Sequence, residues 1–160
     1  MTEGKPRTCR RGRQGFSLLE LVMVVAIMSI VAAIAAPRYA RAAARYRIDV
    51  AANRIIHDFA LASQQARNAG ASRTVAFNVA ASQYTISNLA GLDRAAQSYR
   101  VDLLAEPYCS RVDLADFGGD AAAVFNGYGQ ADSGGQVVLK SGVFTRTITL
   151  DANSGKATFQ

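Results

Sequence analysis

The sequence predicts an α+β chain, with one long N-terminal helix, half membrane-spanning and half amphipathic, packed on an antiparallel β-sheet domain. Three observations lead there. Leu21 to Ile34 is apolar apart from Ser29. From Arg38 to about Asn68, apolar residues recur at intervals of three and four. Beyond Gly70 the apolar period drops to two, broken by clusters of Gly, Asn and Asp. A chain of 160 residues, 50% hydrophobic and 19% charged, has room for an anchor and one small domain with a modest core.

Residues 1–15 read as a basic leader. Lys5, Arg7, Arg10, Arg11 and Arg13 against Glu3 give it +4 of the chain's net +6, leaving +2 for the rest. The positive balance is therefore largely a leader property and says little for nucleic-acid binding by the domain. Cys9 lies in the leader and Cys109 far beyond it, so Cys109 is expected to be a lone, half-buried thiol. Neither cysteine stands at metal-ligand spacing.

Residues 16–37 form the predicted membrane or filament-core helix. Phe16 to Ala36 is 21 residues, roughly 30 Å of helix and enough to cross a bilayer's hydrocarbon core. The basic flank holds that end in the cytoplasm and sends the remainder beyond the inner membrane. Three readings compete: a secretory signal ending at Ala33-Ile34-Ala35, a plain single-pass anchor, or a segment cut ahead of the apolar run, between Gly15 and Phe16. Glu20 separates them. A carboxylate in an apolar segment costs about 2.5–3.5 kcal/mol at mid-membrane, and the first two readings give it no use. Cleavage before Phe16 would create an α-amino group four residues ahead of Glu20, able to pair with a carboxylate from a neighbouring copy. The helix dipole also favours an acid in the first turn. Pro37 removes one helical hydrogen bond and crowds the preceding turn. Because helical periodicity resumes at once, it predicts a kink rather than an end.

Residues 38–69 continue as an amphipathic helix. Ile48, Ala51, Ala52, Ile55, Phe59, Ala62 and Ala66 make its apolar face, and Asn68-Ala69-Gly70 supply a stop. Anchor and continuation together make one helix of about 50 residues, near 80 Å. Arg38, Arg41, Arg45 and Arg47 read first as a solvated face meeting lipid head groups and next as subunit contacts. DNA binding comes last, for want of a stacking platform. His57 has no acidic or cysteine partner at spacing and is assigned a structural role.

Residues 70–160 are the β-rich part. Arg73–Val79 and Gln83–Ser87 read as a hairpin, and Ser98–Leu104 as a third strand. Ala122–Phe125, Gln136–Ser141, Val143–Leu150 and Lys156–Phe159 follow, with turns at Asn126–Gly129, Gly134-Gly135 and Asp151–Gly155. Residues 105–121 read as a loop, with at most a short strand near Val112. Asp113, Asp116 and Asp120 miss the spacing of a calcium loop, and a solvated loop is preferred. Gly127-x-Gly129 is a turn rather than a dinucleotide fingerprint. A serine triad would need His57 beside a serine and a carboxylate, and no phosphate-loop or metal motif is present. The sequence thus assigns no catalytic, metal or cofactor residues and predicts a non-enzyme.

The run Gly15-Phe16-Ser17-Leu18-Leu19-Glu20-Leu21 closely resembles the class III signal of type IV pilins and type II secretion pseudopilins. The resemblance implies that a prepilin peptidase cuts after Gly15 and methylates the new N-terminal Phe16. It also makes Glu20 the fifth mature residue and an assembly determinant, and places Pro37 where the family often carries a proline. The tail, from Phe125–Gly129 through Thr147–Leu150 to Ser154-Gly155-Lys156, is similar to the GspH/FimT family of minor pseudopilins and pilins. That implies a type IV pilin-like fold. It also implies a minor subunit of a type II secretion pseudopilus, with a FimT-like minor pilin that binds DNA for uptake as the alternative. Gly155-Lys156-Ala157-Thr158 departs from the glycine-arginine-x-arginine stretch of the DNA-binding members, which puts DNA capture in doubt. The implied partners are the peptidase, other pilins in the filament, an inner-membrane assembly platform and membrane lipid.

Overall fold

The computed structural model describes residues 16–90 and 98–159; the leader, with Gly15 and Cys9, lies outside them. Helix α1 spans Leu18–Ala69, 52 residues, with Pro37 inside it. Its stop is the predicted one. Gly70 takes φ +58°, the Gly70 N–H donates to the Arg67 carbonyl (3.2 Å) and the Ala71 N–H donates to the Ala66 carbonyl (3.2 Å). A left-handed glycine closing the last carbonyls in this way ends a helix without leaving polar groups unpaired. The chain divides into two units, Met1–Tyr39 and Ala40–Gln160.

In the second unit the period-two segments form eight strands. These are β1 (Arg73–Asn78), β2 (Gln83–Ala90), β3 (Ser98–Asp102), β4 (Arg111–Asp116), β5 (Ala122–Phe125), β6 (Gly135–Ser141), β7 (Phe144–Leu150) and β8 (Ala157–Phe159). They make two antiparallel sheets rather than one, ordered β3-β2-β1-β5 and β4-β6-β7-β8. The first grows from the predicted hairpin, with Val75 opposite Ile86 and β5 returning beside β1. The second is a β6-β7-β8 meander with β4 added to the far side of β6.

Strand β4 is the short strand near Val112 that the sequence allowed, within the stretch 105–121 otherwise read as a loop. It escapes the period-two pattern because of a bulge between Val112 and Leu114. Val112 and Ala115 are buried, whereas Asp113 and Leu114 are both exposed. Gly135 makes the neighbouring crossing possible: a Cβ there would overlap the Asp116 carbonyl and the Phe117 ring.

All seven residues of the predicted helical face are buried, from Ile48 to Ala66. The alanines among them let strands approach α1 closely, and Phe59 fills the centre. Its ring lies 6.0 Å from Phe77, 6.1 Å from Phe125 and 5.9 Å from Phe117, centroid to centroid. Phe77 and Phe125 belong to the first sheet and Phe117 follows β4 of the second, so one helical side chain joins both sheets. Replacing Phe59 by Ala is expected to lower stability by about 3–5 kcal/mol, with Phe59→Leu milder, read from denaturant midpoints of the detergent-solubilised chain.

Candidate assembly site

The first turns of α1 hold the predicted site. Phe16 is 83% exposed just ahead of the helix, and the Leu21 N–H donates to the Ser17 carbonyl at 3.1 Å. Glu20 is exposed in the first turn, where the unpaired N–H groups make the helix end positive. Every large apolar side chain from Leu18 to Ile34 is exposed. The segment is apolar all round, is long and apolar enough to cross a membrane, and is not buried by any of the described residues. The Ser29 hydroxyl is satisfied inside the helix, donating to the Ala26 carbonyl at 2.7 Å. Glu20 is thus a carboxyl side chain on an otherwise apolar surface, with no side-chain partner among the described residues.

The other residues singled out in the sequence do not converge. Tyr39 and Tyr46 stand exposed beside Arg38, Arg41, Arg45 and Arg47, so aromatic rings do accompany the basic cluster. Aromatic and basic side chains next to an apolar span are the composition of a membrane interface. His57 is exposed on α1 and makes no side-chain hydrogen bond among the described residues. Cys109 is a free, half-buried thiol at φ +41°. Asp113 pairs with Arg111, and Asp116 accepts the Gly119 N–H at 2.8 Å in a tight turn. Among the described residues no three His, Cys, Asp or Glu side chains gather as metal ligands.

A charged cluster that sequence reasoning missed stands on the packed face of α1. Asp58, 4% exposed, accepts at one carboxylate oxygen from the hydroxyls of Tyr84 and Tyr99, the latter at 2.7 Å, and from Arg54 Nε at 3.1 Å. Arg54 Nη2 in turn donates to the Tyr99 hydroxyl at 2.7 Å. The cluster ties α1 to β2 and β3, and each member satisfies another. The visible signal was an aspartate three residues after Ile55 and four before Ala62, on an otherwise apolar stripe.

Burial, then the Asp58 charge, pushes the Tyr84 hydroxyl well above its usual range. Burial and the hydrogen bond to Asp58 push Tyr99 up to about 12. Burial pulls Arg54 downward, but its hydrogen bond to Tyr99 and the attraction of Asp58 outweigh that and raise it.

Folded tyrosines that titrate above the ordinary value of 10 stabilise the fold fully below that pH and lose the contribution as pH rises through the folded value. Stability is therefore expected to fall between about pH 10 and 12, and Tyr84→Phe with Tyr99→Phe should make that fall shallower. Asp58→Ala should cost about 3 kcal/mol near neutrality by stranding Arg54 and two hydroxyls. Denaturant midpoints across the pH range check both.

The prokaryotic N-terminal methylation motif matches residues 10–36, across the leader and the start of α1. No curated protein matches the chain. Among solved structures, the chain is similar to the type IV minor pilin FimU of Pseudomonas aeruginosa strain PAO1. That likeness covers 72% of this chain and 90% of that one, at 14% identity and a TM-score of 0.54. At such low identity it speaks for the fold, a long N-terminal helix carrying antiparallel sheets. The chain thus joins an N-terminal methylation motif to a type IV pilin-like fold.

Proposed function

We propose that this chain is a minor subunit of a type IV pilin-like filament, anchored in the inner membrane with its β domain in the periplasm until it is assembled. The observation that carries the reading is Glu20 in the first turn of an uncovered apolar helix, under a methylation motif. Prepilin peptidase hydrolyses the Gly15–Phe16 bond, and methylation of the freed amine leaves its positive charge in place. In the filament, the Phe16 amine of one subunit meets Glu20 of another, and the apolar helices bury one another. Pro37 lies just past the apolar run, where a local bend lets neighbouring helices adjust.

Two machines fit this role. The GspH/FimT-like tail supports a type II secretion pseudopilus, in which the filament serves protein export. The likeness to FimU supports a type IV pilus. A FimT-like role in DNA uptake is the weaker form of the second, since Lys156 stands alone in Gly155-Lys156-Ala157-Thr158.

Mass spectrometry of the membrane-extracted protein is expected to find methylated Phe16 at the N-terminus; another terminus removes the processing step. Glu20→Gln and Glu20→Ala should be processed normally yet enter filaments at least about two orders of magnitude less, since breaking a desolvated ion pair costs about 3–5 kcal/mol. Normal assembly of both variants would strip Glu20 of its role.

A further inference from the structure

A groove of about 350 Å³ lies between the outer side of α1 and residues 154–158. Ile56, Ala60, Ser63 and Arg67 line it from the helix, four residues at i, i+4, i+7 and i+11 on one stripe. Lys156, Ala157 and Thr158 face them across it. Its size is at the lower end of the roughly 300–1,000 Å³ typical of sites that enclose a ligand.

Three properties define what fits. The first is charge: Arg67 and Lys156 are exposed, no acidic residue lines the groove, and neither cation has an ion-pair partner among the described residues. The second is an open strand edge. β8 ends the β4-β6-β7-β8 sheet, and it pairs with β7 on one side only. The Asp151 N–H donates to the Lys156 carbonyl at 2.9 Å. By the alternation of an antiparallel ladder, the backbone groups of Ala157 and Phe159 then point to the unpaired side. The third is rigidity. Asp151 accepts from the Asn153 N–H at 2.9 Å and the Ser154 hydroxyl at 2.8 Å, so its carboxylate is spent on its own turn. Gly155, at φ +63°, sits so close to the Gly129 carbonyl that a Cβ would come within 2.6 Å of it, and Ser63 Oγ donates to that same carbonyl at 2.7 Å. Lys156 is therefore carried on a turn fixed against α1, and little ordering is left for binding to supply.

We propose that this groove seats an extended, acidic segment of a partner protein, which adds to the open edge of β8 through main-chain hydrogen bonds and sets carboxylates on Arg67 and Lys156. Strand addition supplies the affinity and the two cations select the charge. A polynucleotide fits less well. From Ile48 onward the chain has nine basic residues against ten acidic ones, and two cations with no aromatic ring in the groove make a poor track for phosphates. The assignment goes beyond the filament role and stands or falls separately from it.

The test uses the processed full-length chain in detergent. It is titrated with a fluorescent peptide alternating valine and aspartate, with the valine–lysine counterpart, and with a DNA oligonucleotide. Saturable binding of the acidic peptide alone is expected. Arg67→Glu with Lys156→Glu should weaken it about tenfold or more, and Arg67→Gln with Lys156→Gln should weaken it less. Hydrogen exchange at the Ala157 and Phe159 amides should slow on binding, which charge attraction alone would not produce. No saturable binding, equal binding of both peptides, indifference to the charge reversals, unchanged exchange at those amides, or tighter binding of the oligonucleotide would each overturn the proposal.

Discussion

Everything in this chain answers to one constraint: the apolar surface of α1 from Leu18 to Ile34 finds no cover among the described residues. At about 25 cal/mol per Å² of apolar area, leaving such a surface in water is untenable. Lipid can cover it before assembly and like helices afterwards, and neither imposes a preferred face. An all-round apolar helix therefore has no register of its own. Register must come from a polar group, and Glu20 is the one ionisable side chain the segment offers. It stands in the first turn, where unpaired N–H groups make the helix end positive.

Further along the same helix, the second half meets the opposite demand. It must present one apolar stripe to two sheets while the rest of its circumference stays polar. Small residues do most of this. Ala51, Ala52, Ala62 and Ala66 bring the backbone close, and Phe59 reaches across to rings from both sheets. Apolar packing of this kind resists sliding only weakly. The Asp58 cluster is directional, and a one-turn slip of α1 would leave a carboxylate, a guanidinium and two hydroxyls unpaired. In the assembly role proposed above, Glu20 would set register between chains as the Asp58 cluster sets it within one.

What was legible in the sequence was whatever depends on local periodicity. The buried face from Ile48 to Ala66, the Gly70 stop, the β1–β2 hairpin and the strands from Ala122 onward follow from spacing and turn residues alone. What escaped depends on partners distant in sequence. The β4 bulge puts Asp113 and Leu114 on the same side, which erases the alternation by which a strand is recognised. The close approach of β4 to β6 turns on Gly135 against Asp116 and Phe117, a glycine that reads locally as a turn residue and nothing more. Asp58 was overlooked for a different reason: a lone acid on an apolar stripe gains meaning only when tyrosines from β2 and β3 arrive to satisfy it.

Charge placement separates the functions more sharply than net charge does. The leader holds +4 of the total, and Arg38–Arg47 hold four more positive charges. After the cleavage proposed above, the basic residues of the remaining chain concentrate beside the apolar segment, while the sequence from Ile48 onward is close to neutral. The arginines and the exposed Tyr39 and Tyr46 then suit the head-group layer. In a near-neutral domain, Arg67 and Lys156 line one groove, the second of them carried on a fixed turn. A surface built for a polyanion would spread cations along a track. Two cations beside an open strand edge suit a short, extended, carboxylate-bearing segment.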